Sequence, residues 1–245
     1  MAQPRSEARQ PDYGPSLPEL LRPRLRALAG WQRIVGGLCV ALLLAAVAAL
    51  VIRHEAANKT YTETAADARK RGLEPFPFHF DYSRKLRISK PAGSYVQAER
   101  RIDGTLAARL RVSPFPLRAQ SGLVSGFIPI VASGFERQAA RTYNHLRLQF
   151  EGRARVNEVE GYQFAFTARL IRPGLPPRQL FGRTVILPEP FDPSNPGTPY
   201  PPGKSAKRGL LIAMLATTLD SVPSATRVGD QGTLRRPFRS FRFGT

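Results

Sequence analysis

The sequence predicts an α+β protein: one N-terminal transmembrane helix, then a mostly antiparallel β-sheet packed with one or two helices. Three observations predict it. Ile34 to Ile52 is a run of 19 residues without a charge. From Tyr82 onward, apolar and polar residues alternate in segment after segment, which is the pattern of strands with one wet face. Between those strands, Phe127, Val131, Phe135, Ala139 and Tyr143 recur at steps of three to four, as one face of an amphipathic helix requires.

The apolar run comes first. As a helix it would be ~28 Å long, close to the hydrocarbon thickness of a bilayer. Ile34, Cys39, Leu44 and Ile52 mark it from end to end. A cleaved signal peptide is the alternative, with Ala46 and Ala48 as the small residues of a cleavage site. Signal peptides, however, have a shorter basic start and a shorter apolar region. Arg22, Arg24, Arg26 and Arg33 precede the run; Arg53 and Lys59 follow it, interspersed with Glu55 and Glu63. That bias puts the N-terminal side in the cytoplasm, with Trp31 at the inner interface. Residues 1–30, rich in Pro and Arg, become a largely disordered cytoplasmic tail. Residues 31–53 form the span. Residues 54–78 become a helical stalk or linker, because Glu55 to Arg71 is polar, Ala-rich and free of proline before EPFPFHF breaks it. Residues 79–245 form the extracytoplasmic domain.

Within that domain the strands follow in order. Tyr82, Leu86 and Ile88 alternate with Ser83, Lys85, Arg87 and Ser89. Leu106, Ala108, Leu110 and Val112 alternate with Arg109 and Arg111, after an Asp103-Gly104 pair that signals a hairpin. The helix over Val124 to Tyr143 takes Pro129 in its first turn. Leu146, Leu148 and Phe150 then define an apolar strand face, as do Tyr162, Phe164, Phe166, Ala168 and Leu170. Leu180 to Leu187 is another strand. Prolines make residues 188–203 an extended, exposed loop. Gly209 to Leu219 is apolar on both sides, and its length fits either a central strand or a buried helix; strand is the preferred reading. In the terminal PFRSFRFG, Phe241 and Phe243 share a face of an extended chain and anchor its end, with Arg242 outward. Pro237 argues against a helix through this stretch.

Charge narrows the partners. The chain has 37 Lys and Arg against 18 Asp and Glu, and a net charge of +19. Residues 54–245 hold 30 basic and 15 acidic side chains. Such an excess calls for an acidic surface. Outside the cytoplasm that means anionic lipid or an envelope polymer rather than nucleic acid. Cys39 is the single cysteine, so no disulfide forms within the chain.

The order of elements resembles the PsbP-like domain, including its membrane-anchored versions in actinobacterial envelopes. The matching stretches are Leu86 to Gly93, Val156 to Leu170 (VNEVEGYQFAFTARL), GRTVIL, RGLLIAML and the terminal Ser240 to Phe243. The resemblance covers roughly residues 80–245 and implies an antiparallel sheet between helices. It also implies a non-enzymatic role as an extrinsic subunit, adaptor or lipid-handling partner. It transfers no site residue. The proline-rich insert at 188–203 is longer than the family's usual connection, and the family ends in a helix where a strand is expected here.

No G-x-S-x-G, P-loop, H-E-x-x-H or dinucleotide fingerprint occurs in the sequence. Ser121 to Gly126 (SGLVSG) lacks the spacing of a nucleophile elbow and the phosphate-binding lysine, and introduces the helix. Glu158 and Glu160 lie two apart before Gly161 and are expected in a solvated turn. His54, His79 and His145 are too far apart to give a metal-ligand spacing. His145 is expected as a surface or rim residue, and Tyr143 and Tyr162 as core or rim aromatics. No cofactor is implied. What remains is a basic surface. Arg109 and Arg111 project from one strand and Arg147 and Arg169 from two others; on neighbouring strands they would join Arg84, Lys85 and Arg87 in one patch. The expected function is a membrane-anchored binding or adaptor protein of the cell envelope that docks a protein, anionic lipid or polymer. The alternative is an envelope hydrolase or transferase.

Overall fold

The computed structural model describes residue 35 and residues 38–46, 58–117, 124–172, 175–202 and 204–244. The chain divides into Met1–Ala56 and Ala57–Thr245. In the first unit Val35 and residues 38–46 are helical, and Leu38, Val40, Leu42, Leu43 and Leu44 are all exposed. Cys39 is a free, exposed thiol. Ile34, Ile52, Trp31 and the tail at 1–30 lie outside the described residues. Among the described residues no helix is long and apolar enough to cross a membrane.

The second unit is α+β. Its strands are β1 (Asn58–Glu63), β2 (Phe78–Ser83), β3 (Arg87–Ser89), β4 (Val96–Ile102), β5 (Thr105–Pro116), β6 (Asn144–Val156), β7 (Val159–Arg172), β8 (Leu175–Pro188), β9 (Arg208–Thr217) and β10 (Arg242–Phe243). Its helices are α1 (Ala65–Lys70), α2 (Val124–Thr142) and α3 (Arg235–Arg239). Seven strands form one antiparallel sheet in the order β3-β4-β5-β9-β8-β7-β6. A second sheet has the order β1-β2-β10.

Both faces of the large sheet are apolar, and each is covered. On the inner face, Val96, Leu110, Ile212, Met214 and Val185 pack with Tyr61, Phe78, Phe80 and Phe241 of the small sheet and its flanks. On the helix face, Phe164, Phe166, Leu180, Ile186 and Leu215 pack with Ala132 and Phe135 of α2. β9 lies between β5 and β8 and is covered on both faces, Ile212 and Met214 entering the inner core and Leu215 the helix-face core, which is why its sequence is apolar on both sides. The Asp103-Gly104 turn takes positive φ at both residues (47° and 72°), the primed geometry that suits a tight hairpin. Asn157 and Glu158 repeat it between β6 and β7 (53° and 71°).

Four expectations need correction. The segment read as a helical stalk starts with a strand: Thr60, Tyr61 and Thr62 favour extended backbone, and Tyr61 packs 5.3 Å from the Phe80 ring. Helix is confined to α1, where Thr64 Oγ1 accepts a bond from Asp67 N at 3.1 Å. Second, Tyr82 to Ile88 is not one strand. A turn closed by Leu86 N to Ser83 O (2.9 Å) sends β2 and β3 to different sheets. Third, Leu148 and Phe150 are exposed by 43 % and 46 %, because β6 is a sheet edge whose register shifts twice. Fourth, α3 runs through Pro237. In a helix of five residues Pro237 occupies the first turn, where no N–H partner is lost. Pro129, by contrast, falls in the second turn of α2.

The chain end is anchored as expected, with Phe241 fully buried, Phe243 buried and Arg242 exposed. The Phe241 ring stacks 5.1 Å from Phe78, and its carbonyl accepts from Asn157 Nδ2 at 2.8 Å. Truncation there leaves a cavity with no neighbour to fill it. Phe241→Ala should therefore cost about 3 kcal/mol or more in equilibrium denaturation, whereas Arg242→Ala should cost less than about 1 kcal/mol. Equal, small effects would mean that the C-terminal strand does not close the core.

Candidate functional site

Residues paired across an antiparallel ladder point to the same side of the sheet. The register therefore sorts the arginines by face. Arg147 lies opposite Thr167, Thr167 opposite Phe181, Phe181 opposite Ala216 and Ala216 opposite Ala108. That row, with Arg169 two residues beyond Thr167, belongs to the inner face. Arg109 lies opposite Leu215, Leu215 opposite Gly182 and Gly182 opposite Phe166, which is the helix face.

The expected single patch is therefore divided. Two strands, β9 and β8, separate β5 from β7, and Arg109 and Arg111 point away from the face of Arg147 and Arg169. Arg109 Nε donates to Glu99 Oε2 at 2.7 Å, and Arg111 Nε donates to Ser94 Oγ at 2.5 Å. Arg87 pairs across the ladder with Glu99, so it shares the face of Arg109. Arg84 and Lys85 are exposed in the turn between β2 and β3. Arg235, Arg239 and Arg242 are exposed near the chain end, and Arg236 approaches Asp81 at 3.9 Å. Sequence pattern gives the alternation within each strand but not the order of strands.

Arg147 and Arg169 do come together. Along β7 the inner face passes from buried Ala165 to half-buried Thr167 to exposed Arg169. At this outer end a cleft of about 650 Å³ opens, lined by His145, Arg147, Thr167, Arg169, Pro177, Arg178 and Gln179 with Ala168. Among the described residues no carboxylate lines it. His145 has φ +54° where the register of β6 shifts, a conformation uncommon outside glycine and found at functional sites. Arg147, Arg169 and Arg178 make no ion pair among the described residues. The half-buried Arg71, Arg100, Arg183 and Arg208 pair with Glu63, Asp220, Asp230 and Glu189, whereas Arg147 and Arg169 are exposed. Arg178 lies opposite Leu170 and so starts from the helix face, at the rim of the cleft rather than in the row of Arg147 and Arg169; sequence reasoning passed over it because Pro176 and Pro177 mask the start of β8.

The other singled-out residues do not converge on this cleft. Glu158 occupies the β6–β7 turn and Glu160 faces Arg155 across the ladder, at the opposite end of β6 from His145. Tyr143 packs 5.6 Å from the Phe166 ring; burial raises its pKa, against the pull of Arg109 and Arg111. Of SGLVSG, residues 121–123 lie outside the described residues, and Val124 opens α2. Among the described residues no three His, Cys, Asp or Glu side chains stand close enough to hold a metal ion.

A carboxyl pair lies on the helix face instead. Burial first, then the charge of Glu151 and a hydrogen bond with it, push the Glu136 carboxyl of α2 up from its usual range. Glu136 Oε1 is buried without a hydrogen-bond partner, and Tyr162 donates to Glu151 Oε2 at 2.8 Å. A proton on Glu136 would supply a donor between the two carboxyls. A raised folded-state pKa gives stability that is complete below the ordinary glutamate value and is lost as pH rises through the folded value. Amide protection in α2, relative to β9, should therefore fall as pH rises above the ordinary glutamate range. Glu136→Gln should flatten that profile; an unchanged slope would remove Glu136 as its source.

Neither a family model nor a curated protein matches the chain. Among solved structures it is similar to the solution structure of cyanobacterial PsbP (CyanoP) from Synechocystis sp. PCC 6803. The two are 14 % identical with a TM-score of 0.40, over 77 % of this chain and 93 % of that one.

Proposed function

We propose that this chain is a membrane-anchored, non-enzymatic binding protein of the cell envelope. Its apolar run at Ile34 to Ile52 tethers it, its tail is cytoplasmic, and residues 54–245 face outward. The domain serves as an adaptor or accessory subunit that docks an anionic partner at the outer end of β6, β7 and β8. One observation carries this reading: among the described residues, no carboxylate lines the cleft that Arg147, Arg169 and His145 share with Arg178 at its rim. Cations with no ion pair among the described residues keep their attraction for an external anion. A shaped concavity gives that attraction a location that net charge alone lacks.

Two measurements test it. Titration of the full chain with inorganic polyphosphate at low salt should show binding that weakens as salt screens it. Changing Arg147, Arg169 and Arg178 together to Gln should weaken it about tenfold or more. The control, Arg84→Gln with Lys85→Gln and Arg87→Gln, should change it less than about twofold. Equal weakening by both sets would reduce the site to generic surface charge. For topology, protease added to intact spheroplasts should digest residues 54–245; resistance until lysis would invert the orientation.

A further inference from the structure

We infer that the arginine cleft docks on an anionic lipid surface, with the edge strand β6 dipping into the interface beside it. This rests on the proposed anion-binding role and commits it to lipid headgroups rather than a soluble polyanion. The added observation is where the domain leaves its large apolar side chains. Among its described residues the exposed ones are Leu148, Phe150, Ile171 and Phe191. The first three lie on β6 and β7, the strands that carry Arg147 and Arg169.

The register places them. Phe150 is opposite Ala165, in the inner-face row next to that of Arg147 and Thr167. Leu148 is opposite Phe166, on the other face. The edge strand thus presents apolar side chains on both of its faces, exposed by 43 % and 46 %. Ile171, exposed by 51 %, follows Arg169 along β7. A soluble polyanion has no use for them. A headgroup layer does: arginines take the phosphates while aromatic and aliphatic tips enter the acyl boundary.

The test uses the full chain carrying Cys39→Ala and Phe150→Cys, labelled with an environment-sensitive fluorophore and reconstituted in nanodiscs. One set of discs is phosphatidylcholine; the other adds phosphatidylglycerol; both contain acyl-brominated lipid as quencher. Quenching should be roughly twofold or more stronger in the anionic discs, and added Arg147→Gln and Arg169→Gln should return it to the neutral level. The same label introduced through Ile171→Cys should repeat the effect, and through Arg87→Cys, at the far edge of the sheet, should not. Equal quenching in both discs overturns the inference. So does a change that appears in neutral discs only when two copies share one disc, which would assign the face to a second copy. If polyphosphate still binds while quenching is absent, the lipid assignment alone falls; if neither occurs, both readings fall.

Discussion

A seven-stranded sheet that is apolar on both faces cannot stand alone, and the structure depends on how its inner face is closed. The cover comes from the two ends of the domain. β1 and β2 precede the large sheet in sequence and β10 follows all of it, yet they pair with one another. Their rings form one aromatic layer: Phe78 lies 5.1 Å from Phe241 and 5.7 Å from Tyr95, and Phe80 lies 5.3 Å from Tyr61. Burying such rings removes the largest apolar areas available to the chain. The closure is tied by Gly244 N donating to Pro77 O at 3.0 Å and Asp81 N donating to Ser240 Oγ at 2.8 Å.

Buried charge serves the same closure. Glu63, wholly inaccessible, receives Arg71 and the Tyr61 hydroxyl, with Lys90 at 3.7 Å. Burial, then the neighbouring Glu63, raises the Tyr61 pKa, so the hydroxyl stays a donor. Asp220 accepts from Arg100 and Thr233 and fixes the segment that leads back to α3. Removing one member of such a set leaves a buried charge unpaired, a larger loss than the pair itself contributes. The described ion pairs engage Glu63, Asp81, Glu99, Glu189, Asp220 and Asp230. With these acids held by the scaffold, the cationic excess of the domain falls on surfaces with few carboxylates.

What could be seen in the sequence follows from the range of the interactions involved. The α2 helix, the Asp103-Gly104 hairpin and the strands around Leu110, Phe164 and Val185 come from local periodicity and turn chemistry. So does the outward Arg242 between two buried phenylalanines. β1 was missed because Tyr61 finds its partners in Phe78, Phe80 and Tyr95, far along the chain. The patch was misassembled because β9, the last long strand in sequence, inserts next to β5. That insertion sets Arg109 and Arg169 apart, and no alternation pattern encodes it. Arg147 and Arg169 lie on the inner, apolar face and are exposed only because that face runs out at its outer end. Their meeting needed the β6–β7 register.

That register also shows how the sheet tolerates the cleft. Arg147 sits across from Thr167, and Arg169 across from Asn144 and Gln179. Each guanidinium thus faces a neutral polar residue, while the two arginines occupy diagonal positions. Like charges directly opposite would destabilise the ladder; diagonal ones are farther apart and do so less. The arrangement keeps both cations in one cleft without placing them in the worst mutual geometry. An anion in the cleft would relieve their remaining repulsion as well as adding its own attraction. Affinity here would then draw on a tension already present in the unliganded sheet, which an isolated surface arginine lacks.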